Sequence, residues 1–153
     1  KEQYGLRGEE EVRDAAITFS LTNTDVHTAC ISINNFSDLE TFVNLSGTGL
    51  KYTDVGLMKQ YETFYGNYYC RHACNSCSAS CPEQVPINTI MRYSHYMEAQ
   101  KQEKYAMREY DNLHTQATTC HQCEGFCEES CPYHVKIQSL LCDAHEMLSL
   151  TSG

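Results

Sequence analysis

Cys70-Arg71-His72-Ala73-Cys74-Asn75-Ser76-Cys77-Ser78-Ala79-Ser80-Cys81-Pro82, and then Cys120-His121-Gln122-Cys123-Glu124-Gly125-Phe126-Cys127-Glu128-Glu129-Ser130-Cys131-Pro132, hold eight of the ten cysteines of this 153-residue chain. In a small secreted chain such cysteine density would point to disulfides. The distribution points elsewhere, because cysteines two or three residues apart are poorly placed to pair with each other. Runs of this kind bring several thiolates to one place, which is what a metal centre needs.

Working outward, a shift of 50 residues superimposes Cys70, Cys77, Cys81, Pro82, Val85, Ile87, His95 and Met97 on Cys120, Cys127, Cys131, Pro132, Val135, Ile137, His145 and Met147. The chain therefore contains an internal repeat, 70–97 and 120–147: a cysteine run, Cys-Pro, Val-x-Ile and a following helix. Two copies of one unit imply pseudo-twofold packing and two metal centres.

Zinc sites usually combine two Cys-x2-Cys knuckles separated by a longer spacer. Here each run crowds its cysteines together and ends in Cys-Pro. Both runs resemble the bacterial ferredoxin pattern, in which three close cysteines are followed by a fourth before proline. Each carries one additional residue, in a different gap. Cys70, Cys74, Cys77, Cys81, Cys120, Cys123, Cys127 and Cys131 are thus the candidate metal and cofactor ligands, and two 4Fe-4S clusters are the expected cofactors. By the ferredoxin pattern the fourth cysteine reaches the other cluster. Cys70, Cys74, Cys77 and Cys131 would then form one set and Cys120, Cys123, Cys127 and Cys81 the other, with two uncrossed sets as the alternative.

Outside the runs, Cys30 and Cys142 read as packing residues. His72, His121 and His134 lie close enough to serve as ligands, and facing solvent or hydrogen-bonding to the ligands suits them better with eight cysteines present. His95 and His145 read as helix packing. Tyr61, Tyr65, Tyr68, Tyr69, Tyr93 and Tyr96 read as shielding and packing groups.

The first third reads as helix, strand, helix. Val12, Ala15, Ala16, Phe19 and Leu21 keep a helical period over 9–21. The β-branched stretch 26–33 reads as one buried strand. Ser37 and Glu40 suggest a capping box that opens a helix to about Leu45. A single strand needs neighbours for its backbone groups, so this segment reads as part of something larger. Further helices are expected over 54–65, over 86–113 with a break, and over 136–150.

These two parts together resemble the C-terminal end of an iron–sulfur aldo/keto reductase. The first resemblance is carried by Val12-Arg13-Asp14-Ala15-Ala16-Ile17, the stretch 26–35 and Phe36-Ser37-Asp38-Leu39. The second is carried by Tyr69-Cys70-Arg71-His72-Ala73-Cys74, Cys81-Pro82, Val85-Pro86-Ile87-Asn88-Thr89-Ile90-Met91-Arg92-Tyr93 and Glu103-Lys104-Tyr105-Ala106-Met107. The resemblance implies a mainly α chain: an alpha-helical ferredoxin-like dicluster domain at 54–153, preceded at 1–53 by the last helix–strand–helix of a (β/α)8 barrel. A whole barrel needs about 250 residues, so the family's catalytic residues would lie upstream and none is assigned here. NADP would belong to the full-length protein. Ser32-Ile33-Asn34-Asn35 stands where the family often has Gly-x-Ser-Asn, with no Arg or Lys nearby to meet a 2′-phosphate, so nucleotide binding would be altered or rest on upstream residues.

The expected function is electron transfer through the two clusters as part of an aldo/keto reductase-like oxidoreductase. A stand-alone helical ferredoxin-like carrier without a substrate site is the alternative. A net charge of −9 and a pI near 5.1 argue against nucleic acid. The expected partner is a redox protein or the upstream barrel domain; nothing in the composition sets an oligomeric state. No apolar run is long enough for a membrane span, and no signal peptide is visible. The chain opens Lys1-Glu2-Gln3 without an initiator methionine, so upstream residues are expected. Cluster assembly on thiolates needs reducing conditions, which favours the cytoplasm.

Overall fold

The computed structural model describes residues 8–149, and its secondary structure is mainly α-helical. The chain divides into two compact units between Tyr65 and Gly66.

In the first unit, α1 (Glu9–Thr22) carries Glu10 and Glu11 in its first turn, where carboxylates suit the positive end of a helix dipole. Asn23 ends it, its side chain accepting from the Asp25 N–H at 3.0 Å. α2 (Phe36–Leu45) and α3 (Tyr52–Tyr65) follow, and both α2 and α3 pack on α1. Ala15, Thr18 and Leu57 are the buried residues of this small core. Arg13 straps it, bonding Asp14 at 3.0 Å and Asp38 at 3.2 Å while lying over the Phe42 ring. The sequence-based boundary at 53/54 leaves α3 with the cysteine region; in the structure α3 packs against α1.

Two local expectations are corrected here. Residues 26–33 are not a buried strand: they form irregular chain, with Ile31 and Ile33 exposed, and no strand occurs among the described residues. β-branched composition favours extended backbone, but without an adjacent strand nothing satisfies its N–H and C=O groups as a ladder. α2 begins before the expected Ser37–Glu40 box, because Asn35 is the cap and its side chain accepts from the Asp38 N–H at 2.8 Å.

The second unit is built on the repeat. α4 (Ile87–Glu98) and α7 (Ile137–Leu148) are equal in length and 50 residues apart, and they pack on each other. Their approaches match as well. Gln84 and His134 both take a left-handed conformation, at φ 52° and 54°. The Gln84 and His134 N–H groups donate to Cys81 O and Cys131 O at 3.2 and 3.1 Å. Ile87 and Ile137 then donate back to Val85 O and Val135 O at 2.7 and 2.9 Å. Proline after each fourth cysteine fixes φ there and removes a donor that the turn does not need.

Between the repeats the expected long helix breaks at Lys101, whose φ of 55° reverses the chain into α5 (Glu103–Asp111). Ala106 and Tyr110, four residues apart on α5, are fully buried against α4 and α7. Val85, Ile87, Ile90, Val135, Ile137, Leu141 and Leu148 complete one core into which Cys77, Cys120, Cys127 and Cys131 also pack. Each large aliphatic side chain removed from water there contributes roughly 1.5–3 kcal/mol. Two short helical turns, Ser78–Ser80 and Ala117–Gln122, and the one-turn helix α6 (Phe126–Glu129) shape the cysteine runs, and Cys120 and Cys127 lie within the last two.

Candidate metal centre

The extra residue in each cysteine run has a visible structural consequence. In Cys70-x3-Cys74 the left-handed residue is Ala73, at φ 58°; in Cys123-x3-Cys127 it is Gly125, at φ 80°. Each run thus turns an inserted residue through the left-handed region at its own wider gap, and the following cysteines return to corresponding positions. Glycine suits this at position 125 because a Cβ there would lie 3.0 Å from Gln138 Oε1.

The resulting loops bring the cysteines into two crossed neighbourhoods. Cys70, Cys74, Cys77 and Cys131 wall one small recess with Pro132, Tyr133, Val135 and Ile137. Cys120 has Cys142, Cys127, Cys81 and Cys123 as its electrostatic neighbours, and Cys127 has Cys77, Cys123 and Cys81. The fourth cysteine of each run therefore lies with the first three of the other. Cys77 is also an electrostatic neighbour of its counterpart Cys127. Cys142 sits against the second set, half-buried on the core, in keeping with a packing role.

Burial governs the thiols. It pushes Cys120 up to about 12 and Cys127 up to about 11, with neighbouring cysteines adding to the effect. Burial also raises Cys70 and Cys77. Cys74 moves the other way, lowered by its hydrogen bond with the Ser76 hydroxyl. Among the described residues no group of three or more His, Cys, Asp and Glu side chains is gathered as a site for one metal ion. The eight run thiols still fall into two all-sulfur neighbourhoods, four around a recess on one side and Cys81, Cys123 and Cys127 about Cys120 on the other. Such soft donors suit a thiolate-bound polynuclear centre, whose positive charge would take the place of the thiol protons.

Polar groups already point at the sulfurs. The Val85 N–H donates to Cys81 Sγ and the Gly125 N–H to Cys123 Sγ, both at 3.4 Å. The Asn88 amide reaches Cys70 Sγ at 3.8 Å and Arg71 O at 2.8 Å. Its counterpart Gln138 donates to Cys120 O at 2.8 Å and also to Cys123 O. Asn88 and Gln138 escaped the sequence reading, although both stand one residue after the matched Ile87 and Ile137. Arg71 ties the two runs together at the first set. Its guanidinium lies 3.6 Å from the centre of the Tyr133 ring, two residues beyond Cys131.

The histidines divide. His145 Nδ1 is hydrogen-bonded with the Tyr110 hydroxyl at 2.6 Å and with the Ser149 hydroxyl at 3.1 Å, so it works in helix packing. Tyr110, also missed from sequence, accepts from the Ala117 N–H at 3.0 Å and anchors the start of the second cysteine turn. His121 packs its ring edge toward His145, His72 meets Arg92, and His134 occupies the exposed turn after Cys131. Of the tyrosines, Tyr93, Tyr96 and Tyr105 stack where α4 meets α5, whereas Tyr68 and Tyr69 are exposed rather than shielding.

A cleft of about 490 Å³ runs along α4 beside Cys70, walled by Tyr69, His72, Met91, Arg92 and His95 among others. A larger cavity, about 720 Å³, lies in the first unit around Thr18 and Leu57 and holds none of the expected ligands. Among the described residues no helix is long and apolar enough to cross a membrane. No protein-family model, no curated protein and no solved structure matches this chain.

Proposed function

We propose that the chain binds two 4Fe-4S clusters through its eight run cysteines and passes single electrons, as the C-terminal part of an iron–sulfur aldo/keto reductase-like oxidoreductase. The observation that carries the reading is the crossed arrangement: Cys131 shares a recess with Cys70, Cys74 and Cys77, and Cys81 neighbours Cys120 and Cys127. A four-cysteine zinc knuckle does not call for two interlocked sets built by a repeat, whereas paired clusters with exchanged fourth ligands do.

When bound, the clusters supply one-electron redox chemistry at a potential set by their surroundings. The chain's own residues have separable tasks. The cysteines hold the metal; Val85, Gly125 and Asn88 direct N–H groups at sulfur. The apolar core excludes water from Cys77, Cys120, Cys127 and Cys131. Cys74, on the more open side, marks the face through which a redox partner would exchange electrons. Exposed Ile31, Ile33, Phe36 and Val43 in the first unit are consistent with a segment that continues onto a barrel.

A second reading, a helical carrier acting alone, is favoured by one observation: the cysteine-bearing unit is compact with a core of its own. Both readings meet the same first test, iron and acid-labile sulfide content of anaerobically purified protein. About eight of each per chain, with visible absorption of Fe–S character, is the expected result. Zinc without sulfide overturns both.

A further inference from the structure

We propose that Asn88 and Gln138 are matched positioning residues that hold the two cysteine loops in their ligating shape, and that only Asn88 also donates to a ligand sulfur, making the two centres electronically unequal. The inference rests on the two-cluster reading and deepens it.

The two side chains occupy one register position, the second residue of α4 and of α7. Each faces the first cysteine loop of its own repeat, and each meets the loop differently because the inserted residue differs. In the first loop the insertion lies between Cys70 and Cys74, with Ala73 in the left-handed conformation. Asn88 Oδ1 accepts the Ala73 N–H at 3.1 Å, while Nδ2 donates to Arg71 O at 2.8 Å. These opposed partners fix the amide orientation, since a flipped amide would set oxygen against oxygen and N–H against N–H. The second Nδ2 hydrogen is left for Cys70 Sγ, at 3.8 Å.

In the second loop Cys120 and Cys123 are closer in sequence, and the insertion at Gly125 comes later. The side chain is longer by one methylene, and Nε2 bridges the carbonyls of Cys120 and Cys123. Gly125 is the companion to that reach, because its missing Cβ leaves room for Gln138 Oε1. The Gln138 N–H is held by Glu128 Oε1 at 3.0 Å, which anchors the start of α7. Gln138 therefore grips backbone alone, and Asn88 grips backbone and sulfur.

A hydrogen bond to a ligand sulfur stabilises the more negative, reduced state and raises the potential. The test is a redox titration with spectroscopic resolution of the two centres in the anaerobically purified full chain, together with iron count and helicity. Asn88→Leu, close in size and without donors, is expected to lower the potential of one centre and leave the other in place. A tenfold change in its reduced-to-oxidised ratio at fixed potential corresponds to about 59 mV for a one-electron couple. Asn88→Gln restores the amide and returns the potential part-way. Gln138→Leu speeds loss of iron from the other centre without moving the potential of the first. Unchanged potentials and iron retention in both Leu variants overturn the proposal. Equal loss of both centres together with helicity, without rescue by Asn88→Gln, also overturns it by reducing the pair to a folding role. If wild-type protein holds no iron and sulfide, the two-cluster reading fails first; if it holds both and the variants are silent, only this inference fails.

Discussion

Ser80 Oγ and Ser130 Oγ lie 2.6 Å apart, and the two serines are each other's counterpart in the repeat. A residue can bond its own counterpart only where the pseudo-twofold axis passes between them. The axis therefore runs next to Cys81 and Cys131, the residues that follow. This is why the fourth cysteine of each run ends up on the far side: a chain leaving the axis in either repeat enters the territory of the other. The approach of Cys77 to its counterpart Cys127 obeys the same symmetry.

The serine pair is exposed, so its energetic weight is small. Ser80→Ala and Ser130→Ala are each expected to cost about 1 kcal/mol or less, as an ordinary hydrogen bond does. The double variant should cost little more than either single one, because both remove the same bond. Denaturant unfolding of the four proteins in a double-mutant cycle measures this. Fully additive losses would mean that the serines act separately and the axis contact carries no energy.

What the sequence could reveal was whatever repeats. The matched cysteines, Val-x-Ile and α4 against α7 follow from a register that any 50-residue shift exposes. The division of the 86–113 helix was legible as a break but not its place, since Lys101 turns the chain in a left-handed conformation that no glycine announces. Residues 26–33 misled because β-branched composition reports a preference for extended backbone and not the presence of a partner strand. Asn88 and Gln138 were hidden by their dissimilar lengths. The difference makes sense only once the two insertions are seen at different gaps. Tyr110 lies between the repeats, where no periodicity draws attention to it, yet it is almost fully buried.

The two left-handed insertions predict opposite responses to substitution. Gly125→Ala places a Cβ 3.0 Å from Gln138 Oε1 on a backbone at φ 80°, so it should destabilise by roughly 1–2 kcal/mol. Ala73→Gly relieves a residue already at φ 58°, and relief of about 1 kcal/mol is expected, less the entropy glycine adds to the unfolded chain. Thermal unfolding of the two variants beside wild type gives the comparison; a loss at Ala73→Gly as large as at Gly125→Ala would contradict the left-handed assignment of residue 73.

Thiol chemistry of the metal-free chain separates the eight ligands. Cys74 is lowered by Ser76, whereas burial pushes Cys120 up to about 12 and Cys127 up to about 11. Near pH 8, alkylation tracks the thiolate fraction and access, so Cys74 should react more than about a hundredfold faster than Cys120. Peptide mass mapping of a timed iodoacetamide reaction reads the order. The same shifts set a stability window. An unfolded thiol near 9.0 gives up its proton before folded Cys120 or Cys127 does. The folded state then binds more protons, so stability of the metal-free chain is unaffected well below pH 9 and falls as pH rises from there toward 11–12. Flat stability across that range would mean the two thiols are more open than the core packing implies.

Exchange of the fourth ligands gives the sharpest prediction, because crossed and uncrossed sets differ in which single substitutions resemble each other. Cys131 shares its recess with Cys70, Cys74 and Cys77, while Cys81 neighbours Cys120 and Cys127. Cys131→Ser should therefore damage the same centre as Cys77→Ser, although the two residues lie in different runs, and Cys81→Ser should damage the same centre as Cys127→Ser. Serine keeps the size and loses the soft donor, so each variant should retain about four of some eight irons. Electron paramagnetic resonance of the reduced proteins then identifies the surviving signal. Under crossed ligation, Cys131→Ser and Cys77→Ser leave one common signal, and Cys81→Ser and Cys127→Ser leave the other. Under uncrossed ligation the pairing reverses, with Cys81→Ser matching Cys77→Ser. That reversal would require the cysteines flanking the Ser80–Ser130 contact to turn back from the axis, against the positions the repeat assigns them.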